Sequence, residues 1–244
     1  MKNFSLAAKK LYELGYGERH EEKKPEQQST RVIKSRIDPT DNDLSFLASP
    51  CDYEPYLQQV IDGTLPFGKT TGSPQLDQHF LFKEGELIMT NGIDNTGKTV
   101  WVWWLLLLAA MYHGWRGIIF SSENTLGNFM RKMIQFYWGK PLSGKLALSP
   151  REYEIAKKFV EDHFDLIKAQ EDLYNYKDIL NMVKKAAKVK KYQYGMIDPY
   201  NSLKIDLSGF SKLNTHEYHY EAFSELKSFG QQNNFGWFIN HHAI

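Results

Sequence analysis

Cysteine is almost absent from this chain. Cys51 stands alone among 244 residues, so no disulfide can close within the chain and no cysteine-based zinc site can be built. That usage suits a reducing, cytoplasmic setting. Long apolar runs are missing too. The most apolar stretch, Val100 to Met111, is far shorter than the roughly 20 residues a membrane span needs, and it reads as a buried helix. No secretory signal is expected, because the first apolar residues are sparse and followed by charge. Net charge is lacking as well: 30 Lys+Arg against 29 Asp+Glu leave +1, so any basic surface for a nucleic acid has to be local. No internal repeat is visible. What is present is apolar material, 42% hydrophobic and 14% aromatic, enough for one large α/β domain with an extension.

The composition changes near residue 45. Residues 1–45 are charge-rich. Phe4, Leu6, Leu11 and Leu14 fit a short amphipathic helix ending at Gly15 or Gly17, and Glu18 to Gln28 fit a solvated linker. A subunit-docking helix and a plain tail are both compatible with that pattern. Residues 46–244 read as one globular domain. Apolar strand runs at 86–90, 117–120, 164–168, 194–197 and 235–240 alternate with helical segments at 98–113, 125–138, 149–163, 176–192 and 215–233. A further helix is expected at 52–61. This alternation predicts an α/β fold with a mainly parallel sheet and helices on both faces. The lysines at 184, 185, 188, 190 and 191 read as a solvated helix face.

The pattern G-x-x-x-x-G-K-[ST] occurs twice, at Gly63–Thr70 and at Gly92–Thr99. A phosphate-binding loop needs a strand that delivers it and a helix whose first N–H groups face the anion. The first match contains Pro66, which removes a donor, and runs on into Thr71-Gly72-Ser73-Pro74 where a helix should begin. It reads as a loop. The second follows the strand at 86–90 and opens the apolar helix at Lys98. Gly92, Ile93, Asp94, Asn95, Thr96, Gly97, Lys98 and Thr99 are therefore the expected cradle for ATP. Lys98 is expected on the outer phosphates and Thr99 on Mg²⁺.

Such a site needs a second carboxylate for the metal at the end of a buried strand. Tyr194-Gly195-Met196-Ile197-Asp198 supplies Asp198. Glu123, just past the strand at 117–120, stands where ligands gather at the carboxyl ends of parallel strands; it can serve as general base or as a helix-start carboxylate. His241 and His242 follow the last apolar run and could bring a polar group to the γ-phosphate. A metal site on them would need partners that the sequence does not supply. The segment 200–214, after the Asp198 strand, is long enough to be functional.

Several blocks in order resemble the hexameric replicative helicases of the DnaB and Twinkle type, including phage primase–helicases. Thr71-Gly72-Ser73-Pro74-Gln75-Leu76-Asp77 is similar to the lead-in that precedes their P-loop, which accounts for the extra Gly-Lys-Thr. Phe120-Ser121-Ser122-Glu123-Asn124, Met196-Ile197-Asp198-Pro199-Tyr200-Asn201-Ser202-Leu203 and Thr215-His216-Glu217-Tyr218 are similar to later blocks. Ile239-Asn240-His241 resembles the block whose histidine senses phosphate, which falls on His241. The resemblance implies a RecA-like P-loop NTPase core, Glu123 as catalytic base, and translocation on single-stranded DNA at a forked duplex. It also implies a homo-oligomeric, hexameric ring, primase or other replisome partners, no membrane, and a bacterial or phage-infected cell. Segment 200–214 resembles the first channel loop.

In that family the core continues past the sensing histidine to an arginine finger, so this chain is expected to be C-terminally truncated and weak in hydrolysis alone. Two other functions fit the same blocks: a RecA/KaiC-like DNA-binding ATPase without unwinding, and a nucleotide-binding ring component without turnover.

Overall fold

The computed structural model describes residues 44–65, 68–168, 174–207 and 215–242. The expected helix at 4–14, the linker at 18–28, Pro66 and segment 208–214 lie outside those residues. The chain divides into two compact units, residues 1–63 and 64–244. Helix α1 (Pro50–Ile61), which the composition shift had grouped with the larger domain, therefore belongs to the first unit. Its start is fixed by Ser49, whose N–H donates to Asp52 Oδ2 at 2.7 Å, and by Pro50 in the first turn.

The second unit is a five-stranded sheet of order β1-β5-β4-β2-β3 with every neighbouring pair parallel. The strands are β1 (Leu87–Gly92), β2 (Gly117–Ser121), β3 (Phe164–Ile167), β4 (Tyr194–Asp198) and β5 (Gly236–His242). In order, α2 (Pro74–Asp77), α3 (Lys98–His113), α4 (Leu126–Trp138), α5 (Pro150–His163), α6 (Tyr176–Ala187) and α7 (Thr215–Asn233) complete it. The strands are near-continuous apolar runs because both faces are covered. Ile119, Met196 and Phe238 pack with α3, α4 and α5. The alternate residues Ile118, Phe120, Ile197, Trp237 and Ile239 pack with α6 and α7. Between these layers α3 is buried almost all round, with Val102, Trp103, Leu105, Leu106, Leu107, Ala109 and Ala110 inside, as its unbroken apolar run requires.

Two boundaries differ from the sequence reading. Helix α6 stops at Ala187 instead of reaching Tyr192, because the lysine-rich tail turns back toward β4. There Lys190 Nζ pairs with Asp165 at 2.9 Å and Tyr192 Oη donates to the same carboxylate at 2.8 Å. Strand β5 runs on to His242, beyond the expected end at Asn240, because it stays in register with β1 as far as Gly92↔His242.

The first Gly-Lys-Thr is a structural corner. Lys69 and Phe82 exchange main-chain hydrogen bonds of 2.7 and 2.8 Å, and the Lys69 ammonium lies 5.1 Å from the centre of the Trp115 ring. At Gly72, φ is +83°, and a Cβ would fall 2.2 Å from the Tyr112 ring, so only glycine fits there. The four-residue helix α2, which the sequence reading passed over, carries Asp77 back to this corner. Asp77 accepts from the Thr70 hydroxyl, from the Thr71 N–H at 2.7 Å and from the Thr71 hydroxyl at 2.6 Å.

These donors, the Thr70 hydroxyl foremost, hold the Asp77 carboxyl below the ordinary carboxylate range. A depressed folded pKa contributes stability that is present above the unfolded pKa and lost as pH falls through the folded one. Asp77→Asn should therefore lower Tm at neutral pH, and the gap to wild type should narrow in acid; thermal unfolding at the two pH values checks this.

Candidate nucleotide site

Strand β1 delivers its last residue, Gly92, into the loop Ile93–Gly97, and α3 starts at Lys98. The loop reverses direction through left-handed backbone at Asn95 (φ 60°) and Gly97 (φ 86°), the latter as N-cap of α3. Helices α4, α5 and α6 each use a side chain, from Thr125, Ser149 and Asn175, to bond an early N–H. Helix α3 has no such side chain, so its first N–H groups and the positive end of its dipole stay available to an anion. Lys98 is buried, and its Nζ donates to the carbonyls of Gly92 and Ile93, at 2.6 Å each, under the arch of the loop. Among the described residues it has no carboxylate within ion-pair distance, so an anionic ligand would supply the missing counter-charge.

Asp198 ends β4 with no exposed surface. A carboxylate at that depth is tolerable only if donors surround it. Thr99 Oγ1 donates to its Oδ1 at 2.9 Å and Asn240 Nδ2 to the same oxygen at 2.7 Å. Ser121 Oγ donates to Oδ2 at 3.0 Å, with Asn124 Nδ2 at 3.5 Å. The second residue of α3, the ends of β2, β4 and β5, and the turn after β2 thus meet on one carboxylate. Asn240 is equally buried, and its Oδ1 has no protein partner among the described residues. The Thr99 hydroxyl and the Asp198 carboxylate are the hard oxygen donors that suit Mg²⁺, and the orphaned Asn240 oxygen suits a water bound to such an ion.

A cleft of about 540 Å³ opens beside this cluster, within the usual size of ligand pockets. Residues Asp94 to Val100 line it together with Glu123, Asn124 and His242. Glu123 is exposed to this cleft from the turn after β2. Its Oε1 lies 3.5 Å from His242 Nε2, while His242 Nδ1 lies 2.5 Å from Asp94 Oδ1.

His241, the histidine singled out by resemblance, points elsewhere. Its Nδ1 is 3.4 Å from Asn91 Oδ1, and it lines a separate hollow with Tyr200, Leu203, Tyr218 and His219. Strand parity explains the correction. Because β5 extends to His242, Asn240 and His242 share the face toward the loop and His241 takes the other. Sequence reasoning also missed Asn240 and Ser121. The available signal was a polar residue closing each of two apolar runs at the carboxyl edge of the sheet.

No family model matches the chain. In sequence it is 28% identical over 186 residues to the Twinkle homolog protein, chloroplastic/mitochondrial, of Arabidopsis thaliana; the match spans 72% of this chain and 26% of that protein. In structure it superposes on the solved ATPase domain of a DnaB-like phage helicase with a TM-score of 0.61 at 10% identity, covering 80% of this chain and 72% of the other. Fold and site define a RecA-like P-loop ATPase domain with a nucleotide-binding cleft at Gly92–Thr99. Within that class, the chain carries an ATPase domain of the DnaB/Twinkle type.

The two Gly-Lys-Thr sequences make a direct comparison. Lys98→Ala should remove detectable ATP binding in fluorescent-nucleotide titrations, whereas Lys69→Ala should leave affinity within about twofold, as expected for a change distant from the ligand.

Proposed function

We propose that this domain is the motor of a replicative helicase: it hydrolyses ATP with Mg²⁺ and couples that hydrolysis to translocation on single-stranded DNA. The observation that carries the reading is the convergence of Thr99, Ser121 and Asn240 on Asp198, beside a phosphate loop that also faces Glu123. Lys98 leaves its two carbonyls for the outer phosphates. Thr99 and Asp198 hold the metal, which when bound would neutralise charge on the β- and γ-phosphates. Glu123 orients and deprotonates the attacking water. His242, in place of His241, faces the γ-phosphate.

The substrate and the assembly belong to the same proposal. The segment after β4 and its 3₁₀ turn (Tyr200–Ser202) would contact the DNA backbone, and single-stranded DNA would be gripped by such loops around the channel of a hexameric ring. A forked duplex is the natural substrate, and a primase or other replisome protein the natural neighbour. Among the described residues, no helix is long and apolar enough to cross a membrane.

Glu123→Gln should retain ATP binding while lowering hydrolysis roughly 100-fold or more, the usual scale for loss of a general base. Steady-state hydrolysis with and without single-stranded DNA, and strand displacement on a forked duplex by the full gene product, check the reading. Hydrolysis that ignores DNA, with no strand displacement, would contradict it.

A further inference from the structure

Strands β4 and β5 pair from Tyr194↔Gly236 to Ile197↔Ile239 and then separate. The chain after Asp198 enters the 3₁₀ turn at Tyr200, while β5 continues to His242 along β1. Past the end of the β4 ladder, one side chain takes over the pairing. Asn201 Oδ1 accepts from the His242 N–H at 2.8 Å, and Asn201 Nδ2 donates to the His242 carbonyl at 3.2 Å. A carboxamide offers one acceptor and two donors on a planar frame, so it can stand in for the peptide group of a missing strand. No other amide side chain among the described residues makes this double contact with a strand end.

The residue so held is the one whose ring lies between Asp94 of the phosphate loop and Glu123. Asn201 in turn belongs to a segment that is itself tied down. The Lys204 N–H donates to the Tyr174 carbonyl at 2.8 Å, and Tyr218 Oη donates to the Lys204 carbonyl at 3.0 Å. A ring at a strand terminus with free main-chain groups would fray; one clamped on both groups is preorganised.

We infer that Asn201 is a positioning residue that holds the His242 ring in the cleft, so that the site favours a nucleoside triphosphate over a diphosphate. The inference rests on the nucleotide reading above. Asn201 touches no nucleotide-facing side chain itself and acts only through the His242 main chain. It also joins the cleft to the segment that leads toward residues 204–207.

Three variants test this, Asn201→Ala, Asn201→Asp and His242→Ala, along with the Asn201→Ala/His242→Ala pair. The readouts are titration with a fluorescent ADP and a fluorescent non-hydrolysable ATP analogue in Mg²⁺, and amide hydrogen exchange at His242 without nucleotide. Asn201→Ala should weaken the triphosphate about tenfold, the scale of one or two lost hydrogen bonds, leave ADP within about twofold, and speed His242 exchange. Asn201→Asp keeps the acceptor and loses the donor, so it should fall between. The double variant should discriminate no worse than His242→Ala. Equal weakening of both nucleotides, additive losses in the double variant, or unchanged His242 exchange in Asn201→Ala overturns the inference. Wild-type protein that binds neither nucleotide overturns the nucleotide reading and this inference together. Normal wild-type discrimination that survives Asn201→Ala overturns the inference alone.

Discussion

A single buried carboxylate organises the carboxyl edge of this sheet. Removing an ion like that of Asp198 from water costs several kcal/mol unless hydrogen bonds replace the lost solvation. Here the replacements come from Thr99, Ser121 and Asn240, with Asn124 at the limit of reach. Each donor arrives on a different part of the chain, so the charge is satisfied only when β2, β4 and β5 are aligned and α3 is docked. The requirement that solvates Asp198 thereby also places Thr99 beside it, at the mouth of the phosphate loop. Stability of the core and assembly of the site are the same constraint viewed from two sides.

The loop and the carboxylate are complementary in charge. The first turn of α3 offers main-chain donors and the Lys98 ammonium, whereas Asp198, Asp94 and Glu123 offer oxygens. A polyphosphate with its counter-cation meets both halves, the anion on the donors and the cation on the oxygens. The other Gly-Lys-Thr has neither half. Its lysine lies over Trp115 near Glu84, and its threonine is bonded to Asp77. The same tripeptide is thus a phosphate grip in one setting and a corner brace in the other, and the strand-to-helix context separates them.

Most of the architecture was legible because its signals are local. Apolar runs such as Gly117–Phe120 and Tyr194–Ile197 mark strands, Ser149-Pro150 opens a helix, and a strand followed by Gly-Lys-Thr and an apolar helix marks the loop. What escaped depends on pairing between distant segments. The end of β5 is set by its register with β1, and a two-residue extension decided which histidine enters the cleft. The importance of Asn240 exists only because β5 lies beside β4, an adjacency that sequence order does not reveal. The early end of α6 reflects the attraction of Lys190 and Tyr192 to Asp165 on β3, again a long-range contact. Asp77 looked like part of a loop motif until the fold brought it onto Thr70 and Thr71.

The claim that Asp198 is the metal-side carboxylate of a nucleotide site can be tested by isothermal titration of ATP with and without Mg²⁺. The account predicts that Mg²⁺ tightens ATP binding to the wild-type protein, that Asp198→Asn loses this tightening, and that Asp165→Asn, at the surface salt bridge with Lys190, keeps it. Equal dependence on Mg²⁺ in wild-type and Asp198→Asn protein, with both folded, would contradict it.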